Sequence, residues 1–276
     1  MPYDEHTCDE RIQTIMRFAI NLPPFAPPAT LLELAVDAER AGWDAVFFWD
    51  HMTWLPEKRL DVHDPWVLLG AVATNTERVL LGTMVTPLAR RRPWKVAKEL
   101  TTLDHLSGGR AVLGVGLGAP ADAEFEAFGE AGDARRRAAV LDEGLTVLDG
   151  LLRGPVDHDG KHFTVQTEML PRPVQRPRPP IWVAGESPHR RPLERAARWD
   201  GFVPLPSAEA LTPDRLAAYL SGVERPPAWD VVALHLEGVR ADEYAAAGAT
   251  WLVEGMNPDG DWIDDLRALV RRGPRA

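Results

Sequence analysis

Three short stretches of this sequence carry side chains able to do chemistry. Asp50-His51 follows an apolar run and sets a carboxylate beside an imidazole, a group that titrates near neutrality and can give or take a proton. The plainer reading is a histidine that pins its loop. Gly114, Gly116 and Gly118 with Ala119 satisfy the dinucleotide pattern G-x-G-x-x-A, but that motif needs a helix directly behind it, and Pro120 opens an acidic loop instead. Small residues there fit a flat planar group, or a backbone, in close approach; a plain tight turn is the alternative. Gly185-Glu186-Ser187-Pro188-His189-Arg190-Arg191 joins a glycine, a hydroxyl and two arginines to the start of a helix, the donor set of an anion site. Its alternative is an ordinary strand-to-helix loop with solvated arginines.

Other chemistries lack their residues. The eight histidines (6, 51, 63, 105, 158, 162, 189, 235) give no H-x-H and no H-E-x-x-H, so no metal site is expected. His235 and Glu237 fall on one strand face, a pair read as a substrate contact or as a satisfied structural pair. No G-x-S-x-G elbow occurs, and the single cysteine, Cys8, falls in the acidic start of the chain.

The elements that position these residues follow a rhythm of strand and helix. Met16 to Asn21 reads as a strand, and Thr30 as the cap of a helix that Gly42 stops. Asp44 to Trp49 has no polar alternation, as in a strand buried on both faces. Asp64-Pro65 caps the next helix, Arg78 to Thr83 is the third strand, Pro93 opens a helix ended by Ser107-Gly108-Gly109, and Ala111 to Gly116 is the fourth strand. The polar segment 119–134 interrupts the pattern before an amphipathic helix over 137–152. A hairpin turning at Asp159-Gly160 and an extended proline-rich connector over 171–180 precede the fifth strand at Ile181. Three more units bring the count to eight strands and eight helices, the number that closes a parallel sheet into a barrel of about 250 residues. The reading is an α/β fold, a single-domain (β/α)8 TIM barrel over 13–276 behind a flexible start (1–12), with an insertion after strand 4 and a small hairpin before strand 5. The mouth at the carboxyl ends of the strands then holds Asn21, Asp50, His51, Met84, Val85, Gly116 to Gly118, Gly185 to Ser187, Leu205, Glu237 and Glu254.

Composition narrows the class. The chain has 276 residues, 31 basic and 41 acidic, for a formal charge of −10; that is the wrong sign for a nucleic-acid binder. No membrane span and no signal peptide are read, and one cysteine fits a reducing compartment, so a cytoplasmic location is expected. Ten Trp and 25 Pro point to shaped loops and aromatic walls.

The sequence from about Phe18 to Pro204 resembles the bacterial luciferase-like family of flavin- and deazaflavin-dependent oxidoreductases. The most specific stretch runs from Leu81-Gly82-Thr83-Met84-Val85-Thr86-Pro87 through Leu103-Asp104-His105-Leu106-Ser107-Gly108-Gly109-Arg110 to Gly114 to Gly118. Glu126 to Glu130, Leu141 to Leu145 with Arg137, Pro180 to Gly185 and Ala196 to Gly201 fit as well. The resemblance implies a non-prolyl cis peptide in a bulge at Met84-Val85, which supports the isoalloxazine ring from behind, and a cofactor phosphate on Gly185-Glu186-Ser187. It also implies that Asp50 and His51 face ring and substrate, with Gly116 and Gly118 beside the cofactor and His51 as the catalytic residue. Asp-His after the second strand is the pattern of the branch using coenzyme F420, with FMN as the alternative cofactor. One departure stands out: F420-dependent sugar-phosphate dehydrogenases carry a Glu just after the glycine run, where this chain has Ala119. The expected function is hydride transfer between reduced deazaflavin and a small organic substrate. An FMN-dependent monooxygenase is the alternative, and a non-catalytic flavin-binding barrel or a metal-dependent hydrolase comes behind. A homodimer is expected, with no nucleic-acid or membrane partner.

Overall fold

The computed structural model describes residues 16–226 and 228–274; the expected flexible start and Cys8 lie outside the described residues. Ten strands are present: β1 (Arg17–Leu22), β2 (Ala45–Phe48), β3 (Leu80–Pro87), β4 (Ala111–Gly116), β5 (Val156–Asp159), β6 (Thr164–Thr167), β7 (Ile181–Glu186), β8 (Gly201–Leu205), β9 (Asp230–Leu234) and β10 (Trp251–Gly255). The helices are α1 (Pro28–Arg40), α2 (Pro65–Asn75), α3 (Pro93–Ser107), α4 (Ala121–Glu124), α5 (Ala134–Arg153), α6 (Arg190–Ala196), α7 (Pro213–Leu220), α8 (Ala241–Ala246) and α9 (Trp262–Arg272). Eight strands close a parallel barrel in the order β1-β10-β9-β8-β7-β4-β3-β2, and β5 and β6 form a separate antiparallel hairpin. The barrel, the insertion (which holds α4) and the hairpin before the fifth barrel strand stand where the sequence placed them.

Strand alternation splits the core in two. Outward residues such as Phe18, Ile20, Val46 and Phe48 pack under the helices, while inward residues Ala19, Ala45, Phe47, Val112, Trp182, Val203, Val232 and Trp251 fill the barrel. Trp182 lies 5.5 Å from Phe47 and 5.4 Å from Trp251, centroid to centroid. These rings plug the lower barrel with apolar bulk, each buried aromatic contributing about 1.5–3 kcal/mol. Chemistry is thereby confined to the mouth. Among the described residues no helix is long and apolar enough to cross a membrane.

Some local expectations need correction and others are met. Helix α1 starts at Pro28 with no side-chain cap, not at a Thr30 cap, because a proline in the first turn has no N–H to satisfy. The hairpin turns over 160–163, Gly160 donating to the Phe163 carbonyl at 2.9 Å. Glu143 holds that turn open by accepting from the amides of His162 and Phe163. Strand β3 runs on past Thr83 through a register shift between Thr83 and Thr86, and within it the Met84-Val85 peptide is cis. The proline-rich connector is structural: Gln175 donates to Asp104 and to the Ala111 carbonyl, and buried Arg178 pairs with Asp149 and Asp200.

Candidate active site

Asp50, at the end of β2, is 2% exposed. Its Oδ1 accepts from Arg90 Nη2 at 3.0 Å and from Arg91 Nη2 at 2.9 Å, and its Oδ2 accepts from the Thr86 hydroxyl at 2.8 Å. Thr86 in turn lies 2.9 Å from the Thr83 hydroxyl, which is within reach of the Gly114 carbonyl. The carboxylate is thus enclosed by protein donors and acts on the mouth through its arginines.

Arg90 carries the linkage to a residue the sequence reading passed over. Its other guanidinium nitrogen pairs with Glu124 at the end of α4, whose side chain is fully buried. Glu124 also accepts from the amides of Met52 at 3.0 Å, Thr53 at 3.2 Å and Trp54 at 3.3 Å. Burial alone would raise the Glu124 pKa, but His51, the Met52 amide and Arg90 outweigh it and hold the carboxyl at about 2. An ionised carboxylate tolerates such a site only because every oxygen meets a donor. Four segments meet on it: the ends of β2 and β3, the loop 51–54 and the insertion.

His51 sits on this base, 16% exposed. Its Nδ1 stands 3.3 Å from Glu124 Oε1, at ion-pair distance but off the line of a well-formed hydrogen bond. An ionised carboxylate at that distance favours the tautomer with its proton on Nδ1. Trp54 packs 4.6 Å from the His51 ring and Trp49 6.0 Å, and Phe25 stacks on Trp54 at 6.2 Å, giving the histidine an aromatic surround.

The glycines of β4 answer to this chain's own backbone. A Cβ on Gly114 would lie 2.4 Å from the Thr83 carbonyl oxygen, and one on Gly116 would lie 2.8 Å from Val85 Cγ2. Gly118 has φ +80° and faces Pro87 and Phe125. Gly114 admits the backbone of the β3 bulge, whereas Gly116 and Gly118 admit side chains, of Val85 and of Pro87 and Phe125. The result is a partly exposed Val85 laid across Gly116 at the mouth. Arg137, stacked 4.7 Å over Phe125, donates to the carbonyls of Leu117 and Gly118 and fixes the exit of β4.

Near the end of β7, Gly185 is close to Pro192, and just past the strand the peptide Ser187-Pro188 is cis. The Ser187 amide is not free for an anion: it donates to the Leu205 carbonyl at 2.9 Å, continuing the ladder between β7 and β8. What remains are side chains. A cleft of about 500 Å³ opens between the loops after β7 and β8, lined by Ser187, Arg190, Ser207, Arg215 and Tyr219. Arg215 pairs with Glu209, while Arg190 donates to the carbonyls of Tyr219 and Ser221 through one nitrogen only. Burial pushes the Tyr219 hydroxyl up to about 12, and that hydroxyl lies 2.7 Å from the His189 carbonyl and holds the loop.

One expected pairing and one expected mouth residue differ. His235 pairs not with Glu237 but with Glu254 at 3.3 Å, and Arg272 of α9 closes on the other oxygen of Glu254 at 2.5 Å. Glu254 lies within β10 between inward Val253 and inward Gly255, so it faces the helices. Among the described residues no three or more His, Cys, Asp or Glu side chains gather as a metal site.

The chain is 36% identical over 188 residues to an F420-dependent glucose-6-phosphate dehydrogenase of Beutenbergia cavernae, covering 64% of this chain and 52% of that protein. It is 30% identical over 164 residues to the oxygenase component of a flavin-dependent trigonelline monooxygenase of Acinetobacter baylyi, covering 58% and 43%. The chain thus spans about half the length of the curated relatives it matches. In fold it superposes on the coenzyme F420-dependent tetrahydromethanopterin reductase of Methanopyrus kandleri with a TM-score of 0.74, at 18% identity, covering 94% of this chain and 98% of that one. Residues 16–248 match the model of the luciferase-like monooxygenases, and the chain belongs to that family.

Proposed function

We propose that this protein is an oxidoreductase that passes a hydride between coenzyme F420 and a small organic substrate at the mouth of its barrel. The observation that carries the reading is the seat made by β3 and β4, where the bulge lays Val85 across Gly116 beside the enclosed base of His51. A flat ring fits an apolar floor of that kind, and a tail with phosphate fits the cleft past β7, where Ser187 and Arg190 offer donors. In this assignment Met84, Val85, Gly116 and Gly118 support the ring from behind, and Gly185, Glu186 and Ser187 flank the tail. A bound deazaflavin supplies a ring carbon that takes up or delivers a hydride. Asp50 orients Arg90 and Arg91 beneath the site, and His51 moves a proton at Nε2. The aromatic surround of Phe25, Trp49 and Trp54 excludes water.

The test is a fluorescence titration of the purified chain with F420 and with FMN, followed by single-turnover oxidation of the reduced cofactor. Tighter binding of F420 is expected. Tighter binding of FMN favours the second reading, an FMN-dependent monooxygenase, which the trigonelline monooxygenase relative supports. Binding without any turnover across a broad substrate panel would leave a non-catalytic barrel.

A further inference from the structure

The wall of the mouth that faces away from the cofactor seat carries its own recognition group. In the barrel order, β1 stands four strands from β7 and β10 four strands from β4, so these pairs lie across the barrel from one another. Asn21 is the last inward position of β1, in phase with Ala19 of the interior cluster, and it pairs in register with Gly255 of β10 and Phe47 of β2. It is 8% exposed, and its Oδ1 is buried without a hydrogen-bond partner among the described residues. A buried acceptor left unmade costs about 1–3 kcal/mol, and native chains keep such a group where a ligand completes it. Gly255 helps make room: a Cβ there would lie 2.8 Å from the Asn21 carbonyl oxygen.

The rest of this wall sets the chemistry of the ligand. The guanidiniums beneath His51 are committed, Arg90 to Asp50 and Glu124, and Arg91 to Asp50 and Glu99, with 6% and 17% of their side chains exposed. They cannot turn to a phosphate or carboxylate without stranding a buried acid. Around them stand Phe25, Trp49 and Trp54. An apolar wall with one neutral carboxamide recognises an uncharged ring or chain bearing one hydroxyl or N–H.

We infer that Asn21 is a specificity-determining residue whose carboxamide hydrogen-bonds a hydroxyl or N–H of an uncharged, largely apolar substrate, and that sugar phosphates are not substrates. This rests on the ring lying over β3 and β4 with its tail past β7, as proposed above.

Cyclohexanol and its methyl ether, methoxycyclohexane, serve as probes. They are titrated by saturation-transfer NMR into the full chain loaded with F420, and into Asn21→Leu. The parent should prefer the alcohol by about five- to tenfold, the worth of one net hydrogen bond. Asn21→Leu should bind both probes alike, bind F420 as the parent does, and melt about 2–4 °C higher because the unmade acceptor is gone. Glucose 6-phosphate should not displace cyclohexanol. Equal affinity of the parent for alcohol and ether, a preference that survives in Asn21→Leu, a lower melting temperature, weakened F420 binding in the variant, or displacement by glucose 6-phosphate would each overturn the inference. Failure of the functional reading looks different: neither F420 nor FMN binds, while the unloaded chain still prefers the alcohol and Asn21→Leu still loses that preference.

Discussion

Replacing Glu124 by Gln removes the one charge that ties four segments of the mouth together while keeping the shape of the side chain. The expected loss can be worked out in two ways. A carboxyl held at about 2 instead of its ordinary 4.5 corresponds to about 3 kcal/mol of stability at pH 7. Breaking a buried ion pair by removing one partner costs about 3–5 kcal/mol, and here Arg90 would be left facing an amide. The sign with pH follows from the depressed value. Stabilisation by the carboxylate is present above the unfolded value of 4.5 and is lost as pH falls through it toward 2. Urea denaturation of the parent and Glu124→Gln should therefore differ by about 3 kcal/mol at pH 7 and by about 2 kcal/mol at pH 3.5. A pH-independent difference, or none at pH 7, would refute the assignment of Glu124 as an ionised and fully bonded acid. Amide exchange at Met52, Thr53 and Trp54 should quicken in the variant, because their acceptor is weakened.

Other expectations follow from the same geometry. His51→Ala should lower single-turnover rates by about 10²-fold with little change in cofactor affinity; an unchanged rate assigns His51 to structure alone. Ser187→Ala or Arg190→Ala should weaken cofactor binding by about 1.5–3 kcal/mol if either contacts a phosphate, as isothermal titration would show. The hydrogen bond that His235 donates to Glu254 is the main cause that raises the His235 pKa, so the pair stabilises the fold fully below pH 6.5 and loses that contribution as pH rises through the folded value. His235→Gln should accordingly cost more in melting temperature at pH 6 than at pH 9. Gly116→Ala must displace Val85, whose Cγ2 would lie 2.8 Å from the new methyl. It should weaken cofactor binding at a stability cost of about 1–3 kcal/mol, read by titration alongside thermal melting.

The barrel was legible because its signals are local. Apolar runs of β2 and β4, the Asp64 cap bonded to the Val67 amide at 3.0 Å, and Pro93 and Gly108 at the ends of α3 each mark an element within a few residues. The base of the site was not legible for the opposite reason. Glu124 meets Arg90 across 34 residues and Met52 across 72, and a buried acid in a polar insertion has no periodicity to reveal it. The arginine run 90–92 just past a strand is the signal the sequence offers for it. The Ser187 amide fails as an anion donor for a related reason, since the ladder to Leu205 depends on where β7 ends and not on the residues nearby. Likewise Glu254 reads as a mouth residue until the phase of β10 turns it outward.

The disposition of charge explains how one mouth can hold both a polar cofactor and an apolar substrate. Acids and arginines near His51 are gathered below the surface and satisfied there: Asp50 by Arg90, Arg91 and Thr86, and Glu124 by Arg90 and three amides. Their fields therefore reach the mouth as a fixed orientation of His51 rather than as free charge, which preorganises the imidazole at no cost during reaction. Free donors capable of meeting an anion lie instead across the rim, at Ser187, Arg190 and Ser207. In the proposed assignment a charged cofactor tail would lie on that side, with its ring over Val85 toward the aromatic wall. The space between ring and wall would then be bounded by His51 and the Asn21 carboxamide. Selectivity and proton transfer would fall on neighbouring strands, β1 and β2, with the ring on β3 and β4 and the tail past β7, so that a substitution on one wall should leave the other's function intact.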